Sequence, residues 1–146
     1  MSIIKQTMAK NIVGWIEYTE TPGVEGFQIQ LQFISKEDLI KIRNKCLERK
    51  RSRSTRQMEE TVNNDKFLEL YAEKTILDWK GLKVKHLPKL IPSVISGMNP
   101  EQEVPFDLED AVELLKNSKD FDDFISLTLN DFEEFMKNKR DENVKN

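Results

Sequence analysis

The sequence predicts a mainly α fold with a small amino-terminal β-hairpin, an α+β arrangement in which one helical domain surrounds a single core. Three observations predict it. Apolar residues recur at spacings of three and four over most of the chain after Ser35, which is the repeat of a helix with one buried face. Near the start, two β-prone runs flank a Pro-Gly turn. Apolar residues make up 38% and charged residues 34% of the 146 positions, enough for a thin core beneath much solvated surface. A chain of this length buries roughly 70% of the surface it exposes when unfolded.

The expected organisation is one domain over residues 1–146, with a hairpin at 11–34, helices at 35–78, a loop at 79–106 and carboxy-terminal helices at 107–139. Residues 1–10 read as a loosely held start. The first strand, 11–18, carries Ile12, Val13, Trp15, Ile16 and Tyr18. The second, 26–34, alternates Phe27, Ile29, Leu31 and Phe33 with Gln28, Gln30 and Gln32, giving one buried and one wet face. Pro22-Gly23 turns the chain between them. A lone hairpin is marginal in water and has to rest on helices.

Ser35 is placed to cap the first helix, followed by Glu37 and Asp38 at its positive end, and Leu39, Ile42, Cys46 and Leu47 form its stripe. The stripe stops at Arg49-Lys50-Arg51-Ser52-Arg53-Ser54-Thr55-Arg56. Eight residues without an apolar side chain predict an exposed helix end or linker. A second helix is expected over 57–78 with Met58, Val62, Phe67, Leu70, Tyr71 and Leu77 inward, and Asn63-Asn64-Asp65 as a break that can recap it. Gly81 suits the left-handed turn that closes a helix. Residues 84–103 contain Pro88, Pro92, Gly97 and Pro100 and predict a loop with at most a short helical turn. Asp107 caps the next helix, with Leu108, Ala111, Val112 and Leu115 inward; Asn117-Ser118 interrupts it. The last helix runs from Lys119 to about Lys139.

Function classes narrow quickly. Cys46 is the only cysteine, so no disulfide framework holds the fold, which fits a reducing cytoplasm. No run approaches the roughly 18 apolar residues of a membrane helix, and the amino terminus lacks a secretion signal, which predicts a soluble intracellular protein without a membrane partner. His86 is the sole histidine and has no ligand set around it, so neither a metal nor a cofactor is expected. Asp120, Asp122 and Asp123 lack the glycine and closing glutamate of a calcium loop and read as helix-start acids. No nucleophile and base pairing suggests a catalytic site.

Charge is unevenly spread around a net of -3. Residues 36–56 hold nine basic against three acidic side chains, +6, whereas 101–146 hold six against fourteen, -8. Such polarity suits head-to-tail self-contact, a charged partner or neutralisation within the molecule. Arg49, Lys50, Arg51, Arg53 and Arg56 could neutralise phosphates, making a small nucleic-acid-binding regulator the alternative reading. Without interleaved aromatics to stack bases, nucleic acid is the less favoured partner.

Five of the eight phenylalanines, Phe106, Phe121, Phe124, Phe132 and Phe135, lie after residue 100. On the last helix Phe121, Phe124, Ile125, Leu129, Phe132, Phe135 and Met136 keep helical spacing. They suit an ordinary core-facing helix, and the arc is wide enough, taking in Leu127, to suit partner contact as well.

The order Leu77-Asp78-Trp79-Lys80-Gly81-Leu82, a variable loop, Val104-Pro105-Phe106, then Glu109-Asp110-Ala111-Val112-Glu113-Leu114-Leu115 and Phe121-Asp122-Asp123-Phe124 resembles the tail assembly chaperones of long-tailed bacteriophages and prophages. The resemblance covers roughly residues 70–135. It implies a helical, non-enzymatic protein of the bacterial host cytoplasm that self-associates as a homo-oligomer. Its implied partners are the tape measure protein, which it coats and keeps soluble, and the tail tube protein, whose subunits it helps recruit. The loop carrying Lys83, Lys85, His86 and Lys89 departs from the shorter, more acidic loop usual in that family.

Overall fold

The computed structural model describes Ile3, residues 12–51, Ser54 and residues 56–131. Five strands and five α-helices follow one another among them. They are β1 (Ile12–Glu17), β2 (Gln28–Phe33), α1 (Lys36–Lys45), β3 (Leu47–Arg51), β4 (Met58–Val62), α2 (Asn64–Thr75), β5 (Ile76–Lys80), a 3-10 turn (Val84–His86), α3 (Leu87–Leu90), α4 (Leu108–Asn117) and α5 (Lys119–Asn130). The mainly α expectation is therefore corrected. The fold is α+β, with a three-stranded antiparallel sheet in the order β1-β2-β5 and a separate two-stranded sheet, β3-β4.

The β1–β2 hairpin forms where expected, and Phe27, Ile29, Leu31 and Phe33 are all buried. Its wet face carries the three glutamines and Trp15, with the Lys80 ammonium 4.4 Å from the Trp15 ring centre. The hairpin is not alone: β2 is the central strand, and β5 pairs along its other edge.

The expected 57–78 helix is split into three elements. At its start, Met58–Val62 pairs with Leu47–Arg51, so Arg49, Lys50 and Arg51 of the basic segment lie in a strand rather than in a helix end or linker. Asn63 is extended, and its side chain accepts from the Lys66 N–H at 3.1 Å, so α2 begins there. At the other end, Thr75 is fully buried and donates to the Tyr71 carbonyl at 2.7 Å, and the chain then straightens into β5. The register steps from Gln30↔Asp78 to Leu31↔Ile76, leaving Leu77 as an extra residue. In an unbroken strand Ile76 and Trp79 would face opposite sides; the bulge turns both toward the core.

Gly81 has φ +79° as expected, although it ends a strand, and Leu82 and Val104 then bond through Val104 N–H to Leu82 O at 2.7 Å. Two helical turns interrupt the long loop, and Lys83 and Lys85 both bond Glu101 at 2.9 and 3.0 Å. Asp107 and Ser118 cap α4 and α5, their side chains accepting from the Glu109 and Phe121 N–H groups. Of the first helix's predicted stripe, Ile42 and Cys46 are buried, with Cys46 as C-cap, while Leu39 and Leu47 stay exposed.

One cluster of buried side chains joins the inner face of the three-stranded sheet to α2, α4 and α5. At its centre is a chain of rings. Tyr18 packs on Phe27 and edge-on to Phe124, Phe27 stacks with Phe121 at 6.4 Å and meets Trp79 edge-on, and Trp79 meets Phe106 edge-on at 5.1 Å. Such pairs add about 0.5–1.5 kcal/mol each beyond the apolar area they bury.

Candidate functional site

The motif residues from the middle of the chain converge on Trp79. Its indole N–H donates to the Val104 carbonyl oxygen at 2.9 Å, and its ring is closed over by Phe106. Trp79 is thus a core anchor, at the end of a strand rather than of a helix. Phe121, Phe124 and Ile125 project from the same side of α5 into this core and are buried, Phe121 with no exposure. These three, read from sequence as partner contacts, are occupied by the chain's own packing; a partner could reach them only if α5 left the sheet. Leu129 is half-buried at the edge of the cluster and Leu127 is 55% exposed. Phe132, Phe135 and Met136 lie outside the described residues.

The basic segment is spread over an exposed ribbon. Arg49 and Arg51 share one face of β3 and Lys50 the other, with Arg56 in the left-handed conformation (φ 57°) after the turn. Opposite them stand Glu60, Met58 and Glu59, and Arg49 is 3.5 Å from Glu60. Asn63 ties the ribbon's base to the body by donating to Glu48 at 2.8 Å. The positive field of this segment is therefore answered in part, by Glu60 across from Arg49 and by Glu48 3.9 Å from Lys50, and Arg53 lies outside the described residues.

A third surface was not foreseen as a site. An open groove of about 560 Å3 runs between α2 and α4. Its floor is Leu70, Leu108 and Val112, and its rims carry Glu69 and Glu73 from α2 and Glu109, Asp110 and Glu113 from α4. Lys116 at the end of α4 lies 3.6 Å from Asp65 at the start of α2, so the two helices run antiparallel. Burial, with Asp107 and Glu113 nearby, pushes the Asp110 carboxyl above the usual carboxylate range. A signal for it was present: Glu69/Glu73 and Glu109/Glu113 are like-charge pairs at i, i+4, an arrangement that weakens a helix.

His86 is buried, and its Nδ1 accepts the Lys83 N–H at 3.1 Å. Burial and the flanking Lys85, Lys89 and Lys83 hold its pKa below the usual histidine value, which favours the neutral ring. It helps hold the loop in place. Among the described residues no group of three or more His, Cys, Asp or Glu could hold a metal ion, and no helix is long and apolar enough to cross a membrane.

A family model for the YdaY prophage protein matches residues 35–146, from the cap of α1 onward, and thus takes in the ribbon, the groove and the aromatic core around Trp79. The chain belongs to the YdaY prophage protein family. It is a phage-derived protein, and the β1–β2 hairpin lies ahead of the matched region. No curated protein and no solved structure matches the chain.

Proposed function

We propose that this YdaY family protein is a tail assembly chaperone that acts in the bacterial host cytoplasm without catalysing a reaction. Its client is the tape measure protein, which it keeps soluble and around which it helps to recruit tail tube subunits. The observation that carries this reading is the Trp79–Val104–Phe106 contact. The residues that resemble the tail chaperones, separated along the chain by a long loop, meet in one packed unit with α4 and α5. A prophage origin agrees with it. The physical rationale is that a long apolar helix aggregates unless covered, and other helices can cover it by laying side chains along its grooves. The acids of α5 would keep such a complex dispersed.

The test is affinity capture of the tape measure protein of the same prophage by the tagged full-length chain, co-expressed. Recovery of the two in one complex is expected, and tape measure protein that passes wholly unbound would contradict the reading.

A second reading, nucleic-acid binding, is favoured by one observation: Arg49, Lys50 and Arg51 lie on an exposed antiparallel ribbon, with Arg56 exposed just ahead of its second strand, a shape that fits a DNA groove. Glu48, Glu59 and Glu60 on the same ribbon oppose phosphates. A gel shift at low salt decides, since phosphate contacts are strongest there.

A further inference from the structure

The groove between α2 and α4 combines three properties that its role in folding does not require. Its floor is apolar where two packed helices could have closed over it. Its rims carry five carboxylates, and the single lysine beside them, Lys116, is turned to Asp65. It also keeps two like-charge pairs one turn apart, Glu69/Glu73 and Glu109/Glu113, that an isolated helix would be more stable without. A surface that holds repelling charges around half-buried leucines is suited to something cationic with apolar side chains of its own.

The dimensions set the length of what fits. α2 has twelve residues and α4 ten, so the trough between them is on the order of 15–18 Å long. That is about three turns of a helix, room for apolar anchors at i, i+3 or i+4, and i+7. A strand ribbon fits less well. The chain's own basic ribbon would bring Glu48, Glu59 and Glu60 into the acidic rims together with its arginines, so a second copy is disfavoured by charge.

We propose that this groove docks a basic amphipathic helix of the client, its apolar side chains on Leu70, Leu108 and Val112 and its Lys or Arg side chains against Glu69, Glu73, Glu109 and Glu113. The identity of the partner rests on the chaperone reading above; the chemistry of the helix rests on the groove alone.

The experiment uses the full-length chain and the triple variant Glu69→Lys/Glu73→Lys/Glu113→Lys. All three positions are exposed, and circular dichroism verifies that the variant keeps its fold. Two probes are read: capture of the co-expressed tape measure protein, and fluorescence anisotropy of a labelled helical Leu/Lys peptide of about three turns with a Leu/Glu peptide as control. The wild type is expected to bind the Leu/Lys peptide in a salt-sensitive manner and the control not at all. Reversing three rim charges should weaken peptide binding and client capture by about tenfold or more. Client capture that is undiminished in the variant overturns the groove and leaves the chaperone reading standing. Failure of the wild type to capture the client, with selective Leu/Lys binding retained, overturns the chaperone reading and leaves the groove as a basic-helix site. Equal binding of both peptides, binding of neither, or self-association in sedimentation that the triple variant abolishes, overturns the proposal.

Discussion

The indole N–H of Trp79 donates to the carbonyl oxygen of Val104 at 2.9 Å, 25 positions further along the chain. This bond, with the Val104 N–H to Leu82 carbonyl bond beside it, fastens the end of the long loop to the last strand and brings Phe106 edge-on to the indole. Trp79→Phe keeps most of the ring and loses the donor, which should cost about 1–2 kcal/mol in urea unfolding. Trp79→Ala removes the ring as well and should cost about 3–5 kcal/mol.

Phe121 and Leu127 sit on one helix with opposite roles. Phe121→Ala empties a fully buried ring site touching Tyr18 and Phe27 and should cost about 3–5 kcal/mol, whereas Leu127→Ala, at 55% exposure, should stay within about 0.5 kcal/mol. Thermal melts of the two variants would check this. Similar losses in both would mean that α5 presents a different face.

How far the sequence disclosed this arrangement differs by element. The 26–34 strand was legible because alternation of Phe, Ile and Leu with glutamine is a local pattern, and the caps Ser35 and Asp107 were legible because each bonds a backbone group within three residues. β5 was not, since Ile76 follows α2 with no breaking residue. Its strand character comes from the free edge of β2, some 50 residues earlier, and from a bulge at Leu77 that conceals the period-two pattern. β3 and β4 have almost no apolar residues to alternate; their pairing shows only as Arg49 opposite Glu60 and Lys50 opposite Glu59, a relation between distant segments. Phe121, Phe124 and Ile125 share one buried face of α5, but periodicity cannot say whether such a face meets its own sheet or another molecule. The groove escaped because its acids come from two helices far apart in the chain, and their meeting is a tertiary relation that no local pattern carries.

Gly26 and Gly81 separate two costs of a side chain. Both have positive φ, so alanine at either is strained by roughly 1–2 kcal/mol. At Gly26 a Cβ meets nothing, whereas at Gly81 it would strike the backbone carbonyl of Gly26, which cannot swing aside. Gly81→Ala should therefore destabilise clearly more than Gly26→Ala in parallel denaturation curves, and equal losses would refute the close approach.

Tyr18, Thr21 and Asp120 form a relay that pins the hairpin turn to the start of α5. Thr21 has one hydroxyl proton and donates it to Asp120 at 3.1 Å, so the 2.6 Å bond has Tyr18 as its donor. Thr21→Val preserves shape and strands the Tyr18 hydroxyl, at a cost of about 1–3 kcal/mol.

Alkaline pH should weaken the fold through a second tyrosine. Burial, with a smaller contribution from Asp122, pushes the Tyr71 phenol up to about 12. A group whose folded pKa is raised adds stability that is complete below the unfolded value of 10 and falls away as pH climbs toward the folded one, because the unfolded chain releases its proton first. Stability should decline between pH 10 and about 12, and Tyr71→Phe should flatten part of that decline. Tyr18, also raised by burial, contributes in the same direction.

The most direct measurement of the central claim is the soluble fraction of the tape measure protein expressed with and without this chain. Shielding of its apolar helix predicts that most of it stays in the supernatant when the chain is present and sediments when it is absent. Tape measure protein that is equally soluble in both would contradict the account.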